Sequence, residues 1–416
     1  MTLDNFPTTR PSFTANFARS QQLPPQVKFT RASTGTYVSE NGFIETAATD
    51  VSRFTWENGK CQGLMIEVDK TNLITNADFT TWTANAGTPT VTPNAGIAPD
   101  GTNSAYSFTA GAGDLTSIRQ TNTTNNPRVL TVYAKSDGTL TEFTIDSYWW
   151  DAGITAGATF NLITGENLNL NTGFGVTGYS EEVGNGWRRY VVTIPQDTSS
   201  SNRNAFCIFA GRKTTNPAGS VLLWAPQAEE APLYPTSYIP TAGATATRAK
   251  DIFDISGDDF FSWYNSGKST LVVNMAIKEA QQYDMLWGFY GGKRIEGFPG
   301  YLTPFEGLIF FQGDNGTNVY IGRGNTGEAY WNQDGDMQKC AYTWNFDTGE
   351  GAVKLQDRPF APEFPPATNV PTTTITVGFR LMGGQNSTHV YNSGTVASVY
   401  YYPHKVSLDA LEALTQ

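Results

Sequence analysis

The chain has 416 residues, a formal net charge of −11, 16% charged residues and 13% aromatic residues. Its length predicts two or three domains, and its many aromatic residues and low charge are not those of a disordered protein. The negative charge argues against a surface that binds nucleic acid or an anionic membrane, so we expect neither as a partner.

The three cysteines, Cys61, Cys207 and Cys340, lie far apart, so their spacing predicts neither a metal site nor a disulfide framework. The first residues, MTLDNFPTTRPSF, lack the charged and apolar regions of a signal peptide, and we expect none. No run approaches the roughly 18 apolar residues of a membrane-spanning helix. Abundant Gly, Thr, Asn and Ser are typical of an all-β protein of the extracellular type.

Residues 1–26 are polar and contain prolines, with Phe6, Phe13 and Phe17 as isolated apolar residues. Their composition fits two interpretations equally well. They could be a frayed terminus, or an extended arm that becomes ordered against another protein. In the second interpretation the three phenylalanines are docking anchors.

Residues 27–76 contain short alternating runs that are separated by two turn signals, Asn41-Gly42 and Asn58-Gly59. An Asn-Gly pair between alternating runs predicts a β-hairpin, because both residues accept the positive φ that a tight hairpin turn requires. We therefore expect two hairpins in this segment.

Residues 77–233 contain short strand-like runs at the spacing of a β-sandwich or jelly roll. These runs are Ser104–Thr109, Arg128–Ser136, Thr141–Trp150, Ala158–Thr164, Trp187–Pro195, Asn204–Ala210 and Ser220–Trp224. Residues 252–416 contain a second set, which predicts a second sandwich. The chain then ends in a predicted short helix that Ser407 caps and whose leucines share one face.

The segment Tyr234–Asp251 reads YPTSYIPTAGATATRAKD and lies between the two sets of strands. Pro235 and Pro240 lack an amide donor and restrict the residues before them, which disfavours both a helix and a central strand. Small residues follow. We expect an exposed and weakly ordered hinge that a protease would cut near Thr241–Ala249.

Several motifs in these segments resemble the block that opens many bacteriophage tail-fibre and head-fibre proteins. The matching residues are Phe29-Thr30-Arg31-Ala32-Ser33, Thr36-Tyr37-Val38, Gly42, Arg53-Phe54, Gly63-Leu64-Met65-Ile66-Glu67 and Thr71-Asn72-Leu73. Asp50-Val51-Ser52 stands where that block more usually has Asn-Val-Pro. The SYIPT and TRAKD runs of the 234–251 segment resemble a junction found in many bacteriophage virion proteins.

Two further resemblances imply the architecture. The runs TNLITNADFTTW, LTVYAKS and GNGWRRYVVTI resemble jelly-roll carbohydrate-binding modules, and the tail SVYYYPHKVSLDALEALT resembles the last element of concanavalin-like (laminin-G type) lectin sandwiches. The implied fold is all-β, a jelly roll followed by a concanavalin-like sandwich, preceded by an extended arm and β-hairpins. The corresponding divisions are residues 1–76 for virion attachment, 77–250 for the jelly roll and 251–416 for the second sandwich.

These resemblances imply a structural protein of the virion, assembled in the host cytoplasm, that docks on the particle by its N-terminus and binds host-surface glycan. The implied partners are other virion proteins of the tail, collar or capsid and a host surface polysaccharide, and the expected assembly is a homotrimer. The alternatives are a capsid-decorating or collar protein with a purely architectural role, and a polysaccharide depolymerase. No feature of the sequence separates attachment from architecture.

We do not expect an enzyme. The sequence lacks nucleophile, zinc-protease and phosphate-loop motifs, and it lacks the alternating acids that glucanases of the concanavalin type carry on one strand. Glu142 and Asp146 have a spacing that could place both on one face of a strand, and a polar outer face explains this spacing more simply.

Two aromatic clusters are the candidate ligand sites, for glycan or for assembly. In Tyr148-Trp149-Trp150-Asp151, consecutive strand residues face opposite sides, so at least one large ring lies outside its own core. The second cluster is Tyr330, Trp331, Asn332 and Asp334, beside Gly-rich sequence. Sugars stack on exposed aromatic rings while amides and carboxylates fix their hydroxyl groups.

No cofactor is expected, although a structural calcium ion stays open. Asp78 lies where related carbohydrate-binding modules often have a metal-ligating loop, and calcium takes such hard oxygen ligands. The glutamate that usually accompanies that site is absent, since Thr80 and Thr81 follow Phe79.

Overall fold

A computed structural model of the chain describes residues 10–111, 116–122, 126, 128–149, 154–171, 175–195, 204–210, 218–230, 234–265, 267–279, 287–291, 295–298, 308–312, 318–321, 336–356, 376–382 and 393–416. These residues form mostly β-strands, as the sequence predicts. Among them, no helix has the length and apolar character needed to cross a membrane.

The strands of the first half are β1 Phe13–Asn16, β2 Lys28–Thr30, β3 Gly35–Val38, β4 Ile44–Ala47, β5 Arg53–Glu57, β6 Lys60–Ile66, β7 Lys70–Asn72, β8 Thr83–Ala86, β9 Thr90–Gly96, β10 Ala105–Ala110, β11 Ser117–Asn122, β12 Arg128–Ser136, β13 Glu142–Trp149, β14 Ile154–Asn161 and β15 Asn167–Asn171. Those of the second half are β16 Thr177–Gly184, β17 Trp187–Ile194, β18 Asn204–Ala210, β19 Gly219–Glu230, β20 Ala246–Arg248, β21 Ile252–Ser256, β22 Lys268–Glu279, β23 Trp287–Gly291, β24 Ile295–Phe298, β25 Leu308–Gln312, β26 Asn318–Ile321, β27 Gln338–Asn345, β28 Glu350–Leu355, β29 Thr376–Leu381 and β30 Ser393–Tyr402. The helices are α1 Phe17–Ser20, α2 Asp258–Phe261, α3 Leu408–Thr415 and a 3₁₀ turn at Phe79–Thr81.

The first sandwich, here called the jelly roll, consists of two antiparallel sheets. Their strand orders among the described residues are β16-β17-β12-β19-β10-β9 and β15-β14-β13-β18-β11-β8. Alternate residues of the central strands face the space between the sheets, so Leu130 and Val132 of β12 meet Phe143 and Ile145 of β13 in one buried core. All of its strands lie within the predicted 77–250 segment.

The second sandwich, here called the C-terminal sandwich, also consists of two sheets. Their orders among the described residues are β28-β27-β22-β30-β6-β5, with β1 also on β30, and β2-β21-β29-β23-β24-β25-β26. The core between them is rich in aromatic rings: Trp287 stacks on Trp344 with centroids 6.0 Å apart and meets Tyr342 edge-on at 4.9 Å. Such pairs add to the stabilisation that burial of their area provides.

Residues 13–20 do not form the extended arm that the sequence predicts. Strand β30 is ten residues long, and one of its edges pairs with β6 at residues 394–396 and with β1 at residues 398–401. Phe13 and Phe17 are 4% and 0% exposed within the core of the C-terminal sandwich. Neither ring is available as a docking anchor, and Phe6 lies outside the described residues.

The strands β1, β2, β5 and β6 therefore belong to the sheets of the C-terminal sandwich, although they precede the jelly roll in the chain. The jelly roll is inserted between the two parts of that sandwich. Residues 1–76 were expected to form a separate attachment segment, and the pairing of their strands contradicts that expectation because contacts distant in sequence complete the second core.

The predicted exposed hinge at Tyr234–Asp251 is wrong for its first part, Tyr234–Ile239. Thr236, Tyr238 and Ile239 are 1%, 8% and 4% exposed, whereas Pro240, residues 242–245 and Thr247 are exposed. Prolines remove backbone donors, and side chains from distant segments bond the donors and acceptors that remain. Ile239 N donates to Gln227 Oε1 at 2.7 Å, and Asn72 Nδ2 donates to the carbonyl oxygen of Ile239 at 3.0 Å.

Predictions that rest on local sequence are confirmed. Asn58 and Gly59 have φ values of 50° and 71° and connect β5 to β6, as a tight hairpin turn requires. At the other end of the chain, Ser407 Oγ accepts from Ala410 N at 3.3 Å and begins α3. Leu411 of that helix is fully buried.

Candidate functional site

A cluster of five buried charged residues lies where the jelly roll joins the C-terminal sandwich. Its members are Arg31, Arg53, Glu67, Arg248 and Asp251. Arg53 Nη1 lies 2.8 Å from Glu67 Oε2, and Arg248 Nη1 lies 3.1 Å from the same oxygen. Arg31 Nη1 lies 3.0 Å from Asp251 Oδ1, and Arg53 Nη2 pairs with Asp251 Oδ2.

The members of this cluster come from the motifs that resemble phage fibre proteins. Arg31 follows β2, Arg53 begins β5 and Glu67 follows β6, whereas Arg248 ends β20 and Asp251 precedes β21. Four chain segments thus meet in one ion network. A buried charge is tolerated only when it is paired and hydrogen-bonded. These motif residues hold the junction together, and they are not exposed ligand contacts.

Glu67 shows how strongly the cluster favours its charged state. Burial alone would raise the pKa of this carboxyl, but Arg248, Arg53 and two hydrogen bonds from Ser237 outweigh burial and hold the pKa well below its usual value. Ser237 N donates to Oε1 at 2.7 Å and Ser237 Oγ donates to Oε2 at 2.6 Å. The SYIPT run is fixed to the GLMIE motif by these two bonds.

An apolar cluster continues the same junction. Tyr238 packs against Trp224 with ring centroids 5.1 Å apart, and Trp224 meets Tyr133 edge-on at 5.4 Å. Ile44 and Trp187 join them in one contiguous group. Side chains from the jelly roll, the β3–β4 hairpin and the 234–239 segment therefore form one apolar cluster beside the ion cluster.

A cleft of about 120 Å³ opens beside this junction. The β3–β4 hairpin contributes Tyr37, the jelly roll contributes Tyr133, Glu181 and Arg189, and the C-terminal sandwich contributes Lys278. Glu67 and residues 237–238 also line it, so the cleft adjoins the ion cluster. A concave site at a domain interface, with aromatic rings and a few polar groups, has the usual form of a small-ligand site.

The cleft combines a partly open ring with polar groups. Tyr37 is half-buried and its hydroxyl donates to Glu45 Oε2 at 3.0 Å, whereas Tyr133 and Tyr238 are only 4% and 8% exposed. Burial, followed by the bond to Glu45, raises the pKa of Tyr37, so its hydroxyl stays protonated and remains a donor at neutral pH. The face of such a ring suits the C–H face of a sugar, and the nearby charged groups suit its hydroxyls.

The described structure does not test the two predicted aromatic clusters. The backbone of Tyr148 and Trp149 ends β13, between β14 and β18. The side chains of both, and all of Trp150 and Asp151, lie outside what the structure describes, as does the second predicted cluster, Tyr330, Trp331, Asn332 and Asp334. Both clusters therefore stay predictions.

Asp78, the candidate calcium ligand, has another structural role. Its Oδ1 accepts from Thr80 N at 2.9 Å and from Thr80 Oγ1 at 2.6 Å, and so caps the 3₁₀ turn. Within the described residues, no three His, Cys, Asp or Glu side chains are grouped so that they could hold a metal ion. Asp146 of the candidate carboxylate pair lies on the outer face of β13, because it alternates with the core residues Phe143 and Ile145. It is 1% exposed, so this face is not open to solvent at Asp146.

Sequence reasoning missed Tyr37, Tyr133, Arg189, Tyr238 and Lys278 because they come from distant parts of the chain. One signal was present in the run WRRYVVTI. Val191 and Val192 are adjacent in β17 and both are fully buried, so both faces of this strand are covered. A continuous apolar run within a strand is typical of that situation, and it could have indicated that another element covers the outer face of the jelly roll.

Comparisons with known proteins do not assign a family. No protein-family model matches the chain, and no curated protein matches it. Among solved structures, the chain is similar to the CBM40 of the Ruminococcus gnavus IT-sialidase, which was solved bound to α2,3-sialyllactose. The identity is 12% over 36% of this chain and 83% of the CBM40 chain, with a TM-score of 0.26, a value too low to indicate a shared fold or function.

Proposed function

We propose that the chain is a structural protein of a bacteriophage virion, a fibre or appendage that attaches the particle to glycan on the host surface through the cleft between the two sandwiches. The observation that carries the glycan-binding part is this cleft, which places a partly open tyrosine ring among charged side chains at a domain interface. The phage context rests on the sequence motifs that build the adjoining ion cluster.

The proposal includes other virion proteins as partners, a location in the virion and a homotrimeric assembly. The contact with the particle excludes Phe13 and Phe17, whose rings fill the core. Residues 1–9, including Phe6, remain available for that contact as a prediction. The trimer is expected because symmetric assembly would bury surface aromatic residues.

Two other functions compete with attachment. A capsid-decorating or collar protein would use the same rigid junction for architecture alone, and a depolymerase would cleave the glycan that it binds. We propose that the chain is not an enzyme, because its sequence lacks the alternating acids of related glucanases.

A glycan array probed with the full-length chain, combined with immunogold labelling of phage particles, tests the proposal. We expect labelling on the particle surface and binding to a restricted set of glycans. Labelled particles with a blank array would favour the architectural function, and unlabelled particles would refute the virion location. Shortening of a bound glycan during incubation would indicate a depolymerase.

A further inference from the structure

Arg189 is a buried cation with most of its hydrogen-bonding capacity unused. The residue lies in β17, is 4% exposed and lines the cleft. Its side chain makes one hydrogen bond among the described residues, from Nη2 to Thr131 Oγ1 at 3.2 Å. Its Nε is buried without a partner there, and its guanidinium lies 5.6 Å from the centre of the Tyr133 ring.

The acidic groups near Arg189 do not pair with it. Glu181 stands opposite in the β16–β17 register, and Arg189 forms no ion pair among the described residues. Glu229 is already bonded to Gln227 Nε2 at 2.8 Å and to Thr236 N at 3.0 Å. Glu67 belongs to the ion cluster. The arginine thus faces the cleft without a carboxylate of its own.

The guanidinium nevertheless stays charged. Burial lowers the pKa of an arginine, but Tyr133, Glu181 and Glu229 outweigh burial and raise the pKa of Arg189. An isolated buried charge is costly to retain. The planar fork of an arginine matches a carboxylate, to which it can donate two parallel hydrogen bonds. An anionic group in the cleft would therefore use the free donors of Arg189.

The charges of the lining indicate a ligand with one negative charge. Among the side chains that line the cleft, Glu67 is neutralised by Arg53 and Arg248, so the cations Arg189 and Lys278 stand against one other carboxylate, Glu181. Glu229, which also acts on Arg189, lies outside this lining. A carboxylate carries the one negative charge that balances this lining. Engineered cavities of roughly 150 Å³ hold a benzene ring, so about 120 Å³ suits one ring-sized group that extends into solvent.

We infer that the cleft binds a sugar residue that carries a carboxylate, with Arg189 donating to the carboxylate oxygens and Lys278 as the second cation. This inference rests on the proposed glycan binding and names the class of glycan. Arg189 sets specificity in it, because a neutral sugar would leave the buried guanidinium without a charged acceptor and with its bond to Thr131 alone among the described residues.

Glucuronate and glucose are the matched probes, because they differ only in a carboxylate or a hydroxymethyl group at one carbon. Each is titrated into the full-length chain, and affinity is measured by ligand-observed NMR. Arg189→Gln removes the proposed contact. Arg188→Gln is the control, because it makes the same charge change one residue away, where Arg188 pairs with Glu182 at 3.2 Å.

We expect glucuronate to bind and glucose to bind about 10- to 100-fold more weakly, since charged hydrogen bonds differ from neutral ones by this order. R189Q should lose the preference and R188Q should keep it. Should R189Q not fold, Arg189→Lys keeps the charge without the fork, and we expect it to melt like the parent and to lose part of the preference.

Equal affinities for the two sugars, equal losses in R189Q and R188Q, or an absence of glucuronate binding would each overturn the inference. The array separates these failures from a failure of the proposed function. If the chain binds neutral glycans on the array but does not bind glucuronate, the proposed attachment to glycan stands and only the inference of an acidic sugar fails. A blank array would count against glycan attachment itself.

Discussion

The carboxylate of Asp251 is the most sensitive point of the junction. It accepts from Arg31 and Arg53 and also from the backbone N of Glu67 at 2.9 Å. Asp251→Asn keeps the shape of the side chain but leaves two buried guanidinium groups with less negative charge. Removal of one partner from a buried ion pair typically costs about 3–5 kcal/mol, so we expect a loss of this size in the free energy of unfolding.

Urea unfolding of the full-length chain, followed by tryptophan fluorescence, measures this loss. The matched control is Asp347→Asn, because Asp347 pairs with Lys268 at 3.5 Å on the surface, where the two side chains are 70% and 49% exposed. An exposed pair contributes about 0–1 kcal/mol. If Asp251→Asn cost less than about 1 kcal/mol, or no more than the control, the ion cluster would not be what stabilises the junction.

Three further outcomes follow from the structure. The folded-state pKa of Glu67 is depressed. The stability that its charge provides is therefore present above its ordinary pKa of about 4.5 and is lost as the pH falls below that value. Acid unfolding profiles of the parent should show this loss, and the stability of Glu67→Gln should depend less on pH over the same range. Gly63 has a φ of 131°, and a Cβ there would overlap the carbonyl oxygen of Val396. Gly63→Ala should therefore lower the melting temperature by several degrees. An unchanged melting temperature would contradict the close approach of β6 to β30. Desolvation raises the pKa of the buried Cys340 thiol to about 12, and the other two cysteines are buried as well. A thiol-labelling reagent should therefore react only after unfolding. Labelling of the folded chain would contradict this packing.

The sequence predicts well those features that neighbouring residues determine. The hairpin at Asn58-Gly59 depends on two adjacent residues that accept positive φ, and the cap of α3 depends on Ser407 and the amide three residues later. The two sandwiches follow from alternating apolar residues that are separated by turn formers. In each case the physical cause lies within a few residues.

The arm and the hinge were misjudged because their partners lie far away in the chain. Phe17 packs edge-on against Phe253 at 6.0 Å, and Ser12 Oγ donates to the carbonyl oxygen of Trp263 at 2.8 Å. Isolated phenylalanines in a polar segment look unpartnered when only the neighbouring sequence is considered. The same limit applies to the 234–239 segment, whose backbone is bonded by the side chains of Asn72 and Gln227.

The cleft could not be predicted because residues far apart in the chain form it. Tyr37, Arg189 and Lys278 are each unremarkable in sequence, and only the insertion of the jelly roll into the C-terminal sandwich brings them together. On sequence alone, the motifs that resemble phage fibre proteins indicate only a virion context. In the structure, their charged residues are buried and stabilise the junction that bounds the cleft.

A crystal structure of the full-length chain with the strongest glycan from the array tests the central claim most directly. The account predicts sugar density in the cleft, in contact with Tyr37 and with Arg189. Density at the end of β13, around residues 148–151, with an empty cleft would contradict it.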